Sequence, residues 1–193
     1  MWRKTRSPNS NSPCDGTDPN RNWDASWGQP IGASTKPCSD TYKGATVFSE
    51  LATQSQRDYV NGIVEEYDNV AYFDVHSYSQ LWMYPYGYTS QKPPNADILD
   101  QISSDSVDAI TSVYGTKFAY GPISTTIYPA SGSTVDYFYQ SGVSCSFTAE
   151  LRDTGKYGFL LPADQIAPVA EEMAKGYAVV MQNVVNGNCP KNI

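Results

Sequence analysis

The chain has 193 residues, 40% of them hydrophobic and 17% charged, and this length predicts one domain with a buried core. Its net charge of −7 argues against a nucleic-acid partner, and it has no apolar run of about 18 residues, which a membrane span would need. One histidine, His76, cannot supply two imidazoles, and the four cysteines form no close C-x-x-C pair, so the residues present do not complete a common zinc site.

Residues 7–47 predict a long loop region, because Gly, Pro, Asn, Ser, Thr and Asp dominate it. A loop of about 40 residues is long for a compact domain, so something must hold it in place. Cys14 and Cys38 bracket most of the segment, and a disulfide between them would close it. The four cysteines permit three pairings, of which we favour Cys14 with Cys38 and Cys145 with Cys189. Cysteines and a low lysine content fit an oxidising compartment.

The rest of the chain alternates between helix and strand patterns. A helix is predicted to start at 49–51 and to end near residue 67, followed by strands over 69–76 and 80–84. Apolar spacing predicts an amphipathic helix over 95–114, with Asn95 as its N-cap and Gly115 at its end. A strand over 144–151 and a last helix within 162–185 follow. Strands that alternate with helices indicate an α/β fold.

His76 ends a hydrophobic predicted strand, and ligands of open α/β sheets bind at the carboxyl ends of strands. A lone histidine is more often only a hydrogen-bonded polar residue. Asp74 lies two residues earlier and therefore on the same face, either as a partner of His76 or as a solvated charge. Ser77 follows His76, but the chain contains no G-x-S-x-G elbow, so a Ser-His hydrolase is a poor alternative.

Glu150 ends an otherwise uncharged predicted strand, where a carboxylate is costly unless it is paired or functional. Two interpretations stay open: a structural ion pair with Arg152, or a general base whose pKa is raised. Arg3 and Arg21 are a further feature, since arginine forks bind carboxylates through two hydrogen bonds and Asn20 would add amide donors. A surface arginine, however, is commonly just solvated.

Several of these segments, taken together, resemble zinc carboxypeptidases of the carboxypeptidase A/B family. They run in family order from residue 2 to the last helix, which makes the resemblance far more specific than one short motif would. The matching stretches are WRKTR (2–6), NRNWD (20–24), HSYSQ (76–80), YPYGY (84–88), TIYPASG (126–132), FTAELRDTG (147–155) and FLLP (159–162).

The resemblance implies a three-layer α/β/α fold with a mixed, mostly parallel sheet, and it implies a zinc cofactor. His76 is similar to the third zinc ligand, Glu150 to the general base/acid that activates the zinc-bound water, and Arg3 to the group that polarises the scissile carbonyl. Asp18 is similar to an acid that orients another zinc-bound histidine. The clamp on the substrate's terminal carboxylate is implied to be Asn20, Arg21 and Tyr128. The subsite aromatics are implied to be Tyr78 and Phe159, and the Cys14–Cys38 pairing matches a family disulfide.

The resemblance also places Val135 at the floor of the pocket for the substrate's C-terminal side chain. Enzymes of the family that prefer basic residues carry an acid there, so valine predicts a preference for large aliphatic or aromatic residues. Ile123, Ala130 and Thr148 would line the same pocket. Asp74 departs from the small residue of the digestive animal enzymes, and it would admit some basic residues if it reached the pocket.

The first two zinc ligands of the family form an H-x-x-E motif that precedes the WRKTR stretch, and this sequence has no such motif. The expectation is therefore a single domain over 1–193 that lacks the N-terminal part of the family's domain, with Met1 an internal methionine taken as a start codon. Two functions follow: a secreted, monomeric metallocarboxypeptidase acting on peptide or protein C-termini, or a non-catalytic remnant that binds such termini. Alone, the chain is expected to bind zinc weakly and to hydrolyse nothing at useful rates.

Overall fold

A mixed four-stranded sheet forms the centre of the molecule in a computed structural model, which describes residues 1–10 and 12–191. Its strands are β1 (Ala71–Ser77), β2 (Leu81–Tyr84), β3 (Ala119–Pro122) and β4 (Cys145–Leu151). They lie in the order β1-β4-β2-β3, with β1 parallel to β4, β2 parallel to β3, and β2 antiparallel to β4. The expectation of an α/β fold with a mixed, mostly parallel sheet is confirmed.

Helices cover both faces of this sheet. They are α1 (Leu51–Glu66), α2 (Ala96–Tyr114), α3 (Ile123–Thr126), α4 (Thr134–Gln140) and α5 (Ile166–Val185). On one face, α2 and α5 pack with the buried Trp82 and Phe147 in the largest apolar cluster. On the other, α4 and α1 contribute Phe138 and Val64 to a cluster around Trp23. Side chains alternate along a strand, so these apolar residues leave every second position of β4 free to face a site.

The pair α2 and α5 packs closely because Gly176 lies at the crossing. A Cβ atom at Gly176 would stand 2.9 Å from the Ile110 side chain, so the contact requires glycine there. The helix α2 ends at Gly115 as predicted, in a left-handed conformation with φ of 77°.

Asn95 occupies the predicted N-cap position of α2, but its side chain makes no capping hydrogen bond. Its side chain bonds other elements instead: Nδ2 donates to the Ser144 carbonyl at 3.1 Å, and Oδ1 accepts from the Tyr139 hydroxyl at 2.7 Å. Because Asn95 is buried, these tertiary partners replace the local one.

The long N-terminal loop region has the predicted character: within the described part of 7–47, the helical element is a short 3₁₀ turn at Pro19–Arg21. The predicted Cys14–Cys38 disulfide closes it, and the predicted Cys145–Cys189 disulfide joins β4 to the segment after α5. Asn22 also holds the loop, since its Nδ2 donates to the carbonyls of Lys43 and Thr46 at 2.8 and 3.0 Å. Among the described residues, no helix has the length and apolar character needed to cross a membrane.

Glu50, just before α1, anchors the N-terminal segment that carries Arg3. Its carboxylate is buried and accepts hydroxyl hydrogen bonds from Thr5 (2.5 Å), Ser7 (2.6 Å) and Ser49 (3.0 Å). Burial by itself would raise the pKa of Glu50, but the hydrogen bonds from these hydroxyls outweigh it and hold the pKa below its usual value.

We expect Glu50→Gln to lower the free energy of unfolding by about 1–3 kcal/mol near neutral pH, because the hydroxyl donors lose a charged acceptor. The folded-state pKa is depressed, so this stabilisation is present above the unfolded pKa and is lost as the pH falls through the folded pKa. Urea unfolding at a series of pH values measures it. Glu65→Gln, at an exposed position of the same helix, is the control and should stay within about 0.5 kcal/mol. Equal effects of the two variants would contradict the assignment.

Candidate active site

The parallel pairing of β1 with β4 brings the predicted catalytic residues together. In this register His76 is opposite Glu150, and Asp74 is opposite Thr148. Residues two apart in a strand share a face, so all four side chains lie on the same side of the sheet. This side is opposite the α2–α5 layer, and it is where a pocket opens.

All nine site residues expected from the sequence line one pocket of about 270 Å³. They are Arg3, Asn20, Arg21, His76, Tyr78, Tyr128, Val135, Glu150 and Phe159. Asp74, Ile123, Ala130 and Thr148 line it too. The structure thus brings together residues from the N-terminal loop, two strands, a short helix and three further connecting segments. The roles that the resemblance implies for them stay predictions.

Of the two carboxylates that line the pocket, Glu150 and Asp74, that of Glu150 lacks hydrogen-bond partners within the described part of the chain. Its Oε2 atom is buried and has no hydrogen-bond partner among the described residues. Burial is the main cause that raises the pKa of Glu150, to about 7, while His76 and Arg3 partly oppose it. The alternative of an ion pair with Arg152 is wrong, because the Arg152 guanidinium points to Glu172 instead, at 2.6 Å. A carboxyl that gains and loses its proton near neutral pH is suited to proton transfer.

The raised pKa of Glu150 predicts a pH-dependent loss of stability. The native state binds this proton more tightly than the unfolded chain does, so the stability that Glu150 contributes is full below the unfolded pKa and falls as the pH rises to about 7. In Glu150→Gln the contribution of Glu150 to this decline should vanish, while the contribution of other groups with raised pKa values, such as Asp136, should remain. Urea unfolding of both proteins in metal-free buffer, across that pH range, measures the difference. Parallel stability curves for the two would refute the prediction.

Asp74 is hydrogen-bonded rather than solvated. Its Oδ2 lies 2.8 Å from His76 Nε2 and accepts hydrogen bonds from Asn20 Nδ2 and Thr134 Oγ1, both at 2.9 Å. Burial of the imidazole opposes its charging, but the hydrogen bond and negative charge of Asp74 outweigh burial and raise the pKa of His76. Of the two interpretations left open for Asp74, the partner of His76 is therefore correct.

The two arginines are oriented by the loop that carries them. Arg3 Nε donates to Asp18 Oδ2 at 2.9 Å, and Asp18 Oδ1 also accepts from the Asn20 backbone N–H at 3.0 Å. Arg21 is buried, with Nε donating to the Gly32 carbonyl at 2.8 Å and Nη1 to the Asn20 carbonyl at 2.7 Å. These carbonyls occupy one side of the Arg21 fork and leave Nη2 without an acceptor among the described residues. Arg21 lines the pocket, so its guanidinium brings a positive charge there.

One part of the pocket wall is apolar. Val135 and Ile123 are buried in one small cluster with Met83, which comes from β2. The mouth carries Tyr78 and Phe159, whose rings meet edge to face with centroids 4.9 Å apart. An apolar wall beside charged groups suits a ligand with one apolar side chain and one charged end.

Sequence reasoning missed part of the lining. Met83, Gly87 and Ile127 also face the pocket. Gly87 is held by Asp136, whose carboxylate accepts the Gly87 N–H at 3.0 Å and whose pKa burial raises to about 6. A polar residue within the apolar stretch 134–139 was the available signal for Asp136, because a buried carboxylate needs donors.

The pocket does not by itself form a zinc site. Within residues 1–10 and 12–191 there is no group of three or more His, Cys, Asp or Glu side chains arranged to hold a metal ion. His76 would supply one nitrogen ligand at most, so the residues described here do not fit a zinc ion without further ligands.

Comparison with known proteins agrees with this geometry. The family model for zinc carboxypeptidases matches residues 1–176. Carboxypeptidase A1 of Sus scrofa is 54% identical over 187 residues, which are 96% of this chain and 43% of the pig protein. The chain thus spans less than half the length of that curated relative.

Two solved structures share the fold. Bovine thrombin-activatable fibrinolysis inhibitor, solved in complex with a tick carboxypeptidase inhibitor, superposes with a TM-score of 0.93 at 35% identity, covering 97% of this chain and 63% of that one. Carboxypeptidase A from Helicoverpa armigera gives a TM-score of 0.87 at 30% identity, covering 96% of this chain and 46% of that one. The similarity therefore extends through almost all of this chain.

Proposed function

The chain belongs to the zinc carboxypeptidase family, and we propose that it binds the C-terminal end of peptides as part of an exopeptidase. The observation that carries this proposal is the Arg21 guanidinium, which two carbonyls hold at a pocket with a partly apolar wall that Glu150 also lines. A fixed cation next to an apolar wall matches the two features of a peptide's last residue, its carboxylate and its side chain.

The carboxylate clamp consists of Arg21, Asn20 and Tyr128. Arg21 provides the charge, and the Tyr128 ring lies 5.9 Å from the centre of its guanidinium. Tyr128 is 47% exposed, so its hydroxyl is accessible to a ligand entering the pocket. Binding the free carboxylate is what would restrict cleavage to the last peptide bond.

The C-terminal side chain would lie against the apolar part of the pocket wall. Val135, Ile123 and Ala130 are each less than 10% exposed, so an apolar side chain placed against them leaves water. This supports a preference for large aliphatic or aromatic C-terminal residues, which is the A-type preference expected from the sequence. Asp74 also lines the pocket, so the condition set for admitting some basic residues is met.

Glu150 and Arg3 would act on the scissile bond. Glu150 can hold or release a proton at its unpaired Oε2 near neutral pH. Arg3, whose side chain is 40% exposed at the pocket edge, would offer positive charge to an oxyanion. The family implies zinc, to which His76 would be one ligand. Since the described residues do not complete that site, we propose that this chain alone binds zinc weakly and is inactive.

Localisation and assembly complete the proposal. The two disulfides support a secreted protein, because such bonds persist in oxidising compartments. A monomer that takes peptide or protein C-termini as its partners fits a pocket built within one chain.

The test is calorimetric titration of the 193-residue chain with two peptides that end in phenylalanine, one with a free carboxylate and one with a C-terminal amide. We expect binding of the free acid and at least a tenfold weaker binding of the amide. Glu150→Gln should keep this selectivity, because Glu150 is assigned to proton transfer. Equal binding of acid and amide would refute the proposed clamp.

The second arm measures catalysis by the same purified chain. We expect no zinc-dependent release of C-terminal phenylalanine above the Glu150→Gln control. Carboxylate-selective binding by a longer protein that contains this chain, without hydrolysis, would favour the non-catalytic remnant instead. Zinc-dependent hydrolysis by the chain alone would contradict its proposed inactivity.

A further inference from the structure

The contacts around His76 Nε2 contain a conflict that decides where its proton lies. Nε2 is 2.8 Å from Asp74 Oδ2 and 3.1 Å from Asn20 Nδ2. An ionised carboxylate only accepts hydrogen bonds, and an amide nitrogen only donates them. One ring nitrogen of a neutral imidazole cannot both donate to Asp74 and accept from Asn20, so only one contact is a hydrogen bond.

The orientation of the Asn20 amide follows from its other end. Asn20 Oδ1 accepts the Thr134 backbone N–H at 2.9 Å, which requires an oxygen at that position. Nδ2 therefore faces Asp74 and His76. The distances among Asn20 Nδ2, Asp74 Oδ2 and His76 Nε2 are 2.9, 2.8 and 3.1 Å, so the three atoms form a nearly equilateral triangle. The two hydrogens of a planar amide diverge more widely than that, so Asn20 cannot donate to both neighbours with good geometry.

A proton on Nε2 removes the conflict. Without this proton, the lone pair of His76 Nε2 would face the Asp74 carboxylate oxygen at 2.8 Å, which is unfavourable because both atoms are acceptors. With it, Nε2–H donates to Asp74, and Nδ1 keeps the lone pair with which a neutral imidazole accepts a hydrogen bond or binds a metal ion. The second hydrogen of Asn20 then has no acceptor in the triangle. Asn20 is only partly buried and lines the pocket, so this hydrogen is available to a ligand.

We propose that Asp74 is a positioning residue that keeps the proton of neutral His76 on Nε2 and thereby leaves one Asn20 amide hydrogen for the carboxylate of a bound peptide. One carboxylate oxygen of Asp74 thus contacts both the His76 imidazole and Asn20 of the clamp, and it orients the two side chains. The assignment of that hydrogen to a peptide rests on the proposed function, whereas the assignment of the His76 tautomer does not.

The experiment is ¹⁵N nuclear magnetic resonance of the imidazole at a pH above its pKa, where the ring is neutral. His76 is the single histidine of the chain, so one pattern of ring nitrogens reports on it without ambiguity. We expect the Nε2–H pattern in the native chain. In Asp74→Ala the acceptor is gone, so Asn20 should donate to Nε2 and the pattern should shift towards Nδ1–H.

Two variants control for a merely structural effect. Asp74→Asn retains a side-chain oxygen that accepts from Nε2–H, and it should restore the native pattern. Asn20→Ala combined with Asp74→Ala removes the competing donor and should abolish the shift to Nδ1–H. An Nδ1–H pattern in the native chain, or the same pattern in native and Asp74→Ala proteins, would overturn the proposal. Asp74→Val, which also lacks a side-chain acceptor, serves the same purpose if Asp74→Ala does not fold.

A second arm adds a peptide with a free C-terminal carboxylate. We expect one of the two Asn20 amide protons to shift while the His76 pattern stays Nε2–H. A conversion of His76 to Nδ1–H on binding would contradict the role of Asp74. If no peptide binds, the proposed function fails, but the ring pattern of the native chain and its Asp74 variants still decides the tautomer.

Discussion

Replacing Arg152 by leucine is expected to lower the free energy of unfolding by about 3–5 kcal/mol, the largest stability effect predicted for this chain. The Arg152 guanidinium forms two hydrogen bonds with the Glu172 carboxylate: Nε donates to Oε1 at 2.7 Å, and Nη2 donates to Oε2 at 2.6 Å. The Glu172 side chain is fully buried on α5. Without the guanidinium its carboxylate would remain in the interior without a counter-charge, which is the costly case for a buried ion pair.

Urea unfolding of the two proteins measures this loss, and two further variants identify its cause. Arg57→Leu breaks a pair with Asp58 that is partly exposed, and it should cost no more than about 1 kcal/mol. Arg152→Leu combined with Glu172→Leu removes both charges and should recover most of the stability. If the double variant is as unstable as Arg152→Leu, the buried charge is not the reason for the effect.

Replacing Arg21 by alanine is expected to weaken binding of a peptide with a free C-terminal carboxylate by about 2 kcal/mol or more, which is about 30-fold. The buried guanidinium is held by the carbonyls of Gly32 and Asn20, so its free Nη2 meets a ligand with little loss of side-chain entropy. Calorimetric titration measures the change. The affinity for the peptide with a C-terminal amide should change little on this substitution, because that peptide presents no carboxylate.

Two controls separate charge recognition from damage to the loop. Arg6→Ala removes an exposed arginine outside the pocket lining and should leave the affinity unchanged. Arg21→Lys keeps the charge but lacks the fork, so it should bind with intermediate affinity. An equal loss for acid and amide peptides in Arg21→Ala would show that the loop, rather than the carboxylate contact, had been disturbed.

The regular elements with strong local patterns could be predicted from the sequence. The helix α2 was expected over 95–114 and spans Ala96–Tyr114, because its apolar residues repeat at helical spacing and Gly115 ends it. The shorter β3, α3 and α4 were not predicted. Gly121 and Pro122 interrupt the strand pattern of β3, and helices of four and seven residues make too few turns to show a helical period.

For the candidate site, too, part could be predicted from the sequence and part depended on the fold. Motifs that run in family order predicted nine of the residues that line the pocket, and the two disulfide pairings favoured among the three permitted ones are confirmed. The chemical type of each side chain is fixed by the sequence itself, so a sequence motif is enough to identify the candidate residues.

Only the tertiary structure decided which groups pair with which. Asp74 was either a partner of His76 or a solvated charge, and the parallel strands and the loop placed Asn20, Thr134 and His76 around one of its oxygens. Arg152 was a possible partner of Glu150, but β4 ends at Leu151, so Arg152 lies outside the strand and need not share the face of Glu150. Arg152 therefore meets Glu172 on α5, which leaves Glu150 Oε2 unpaired in the pocket. Hydrogen bonds and pKa shifts depend on distances between segments far apart in the chain, and only folding sets those distances.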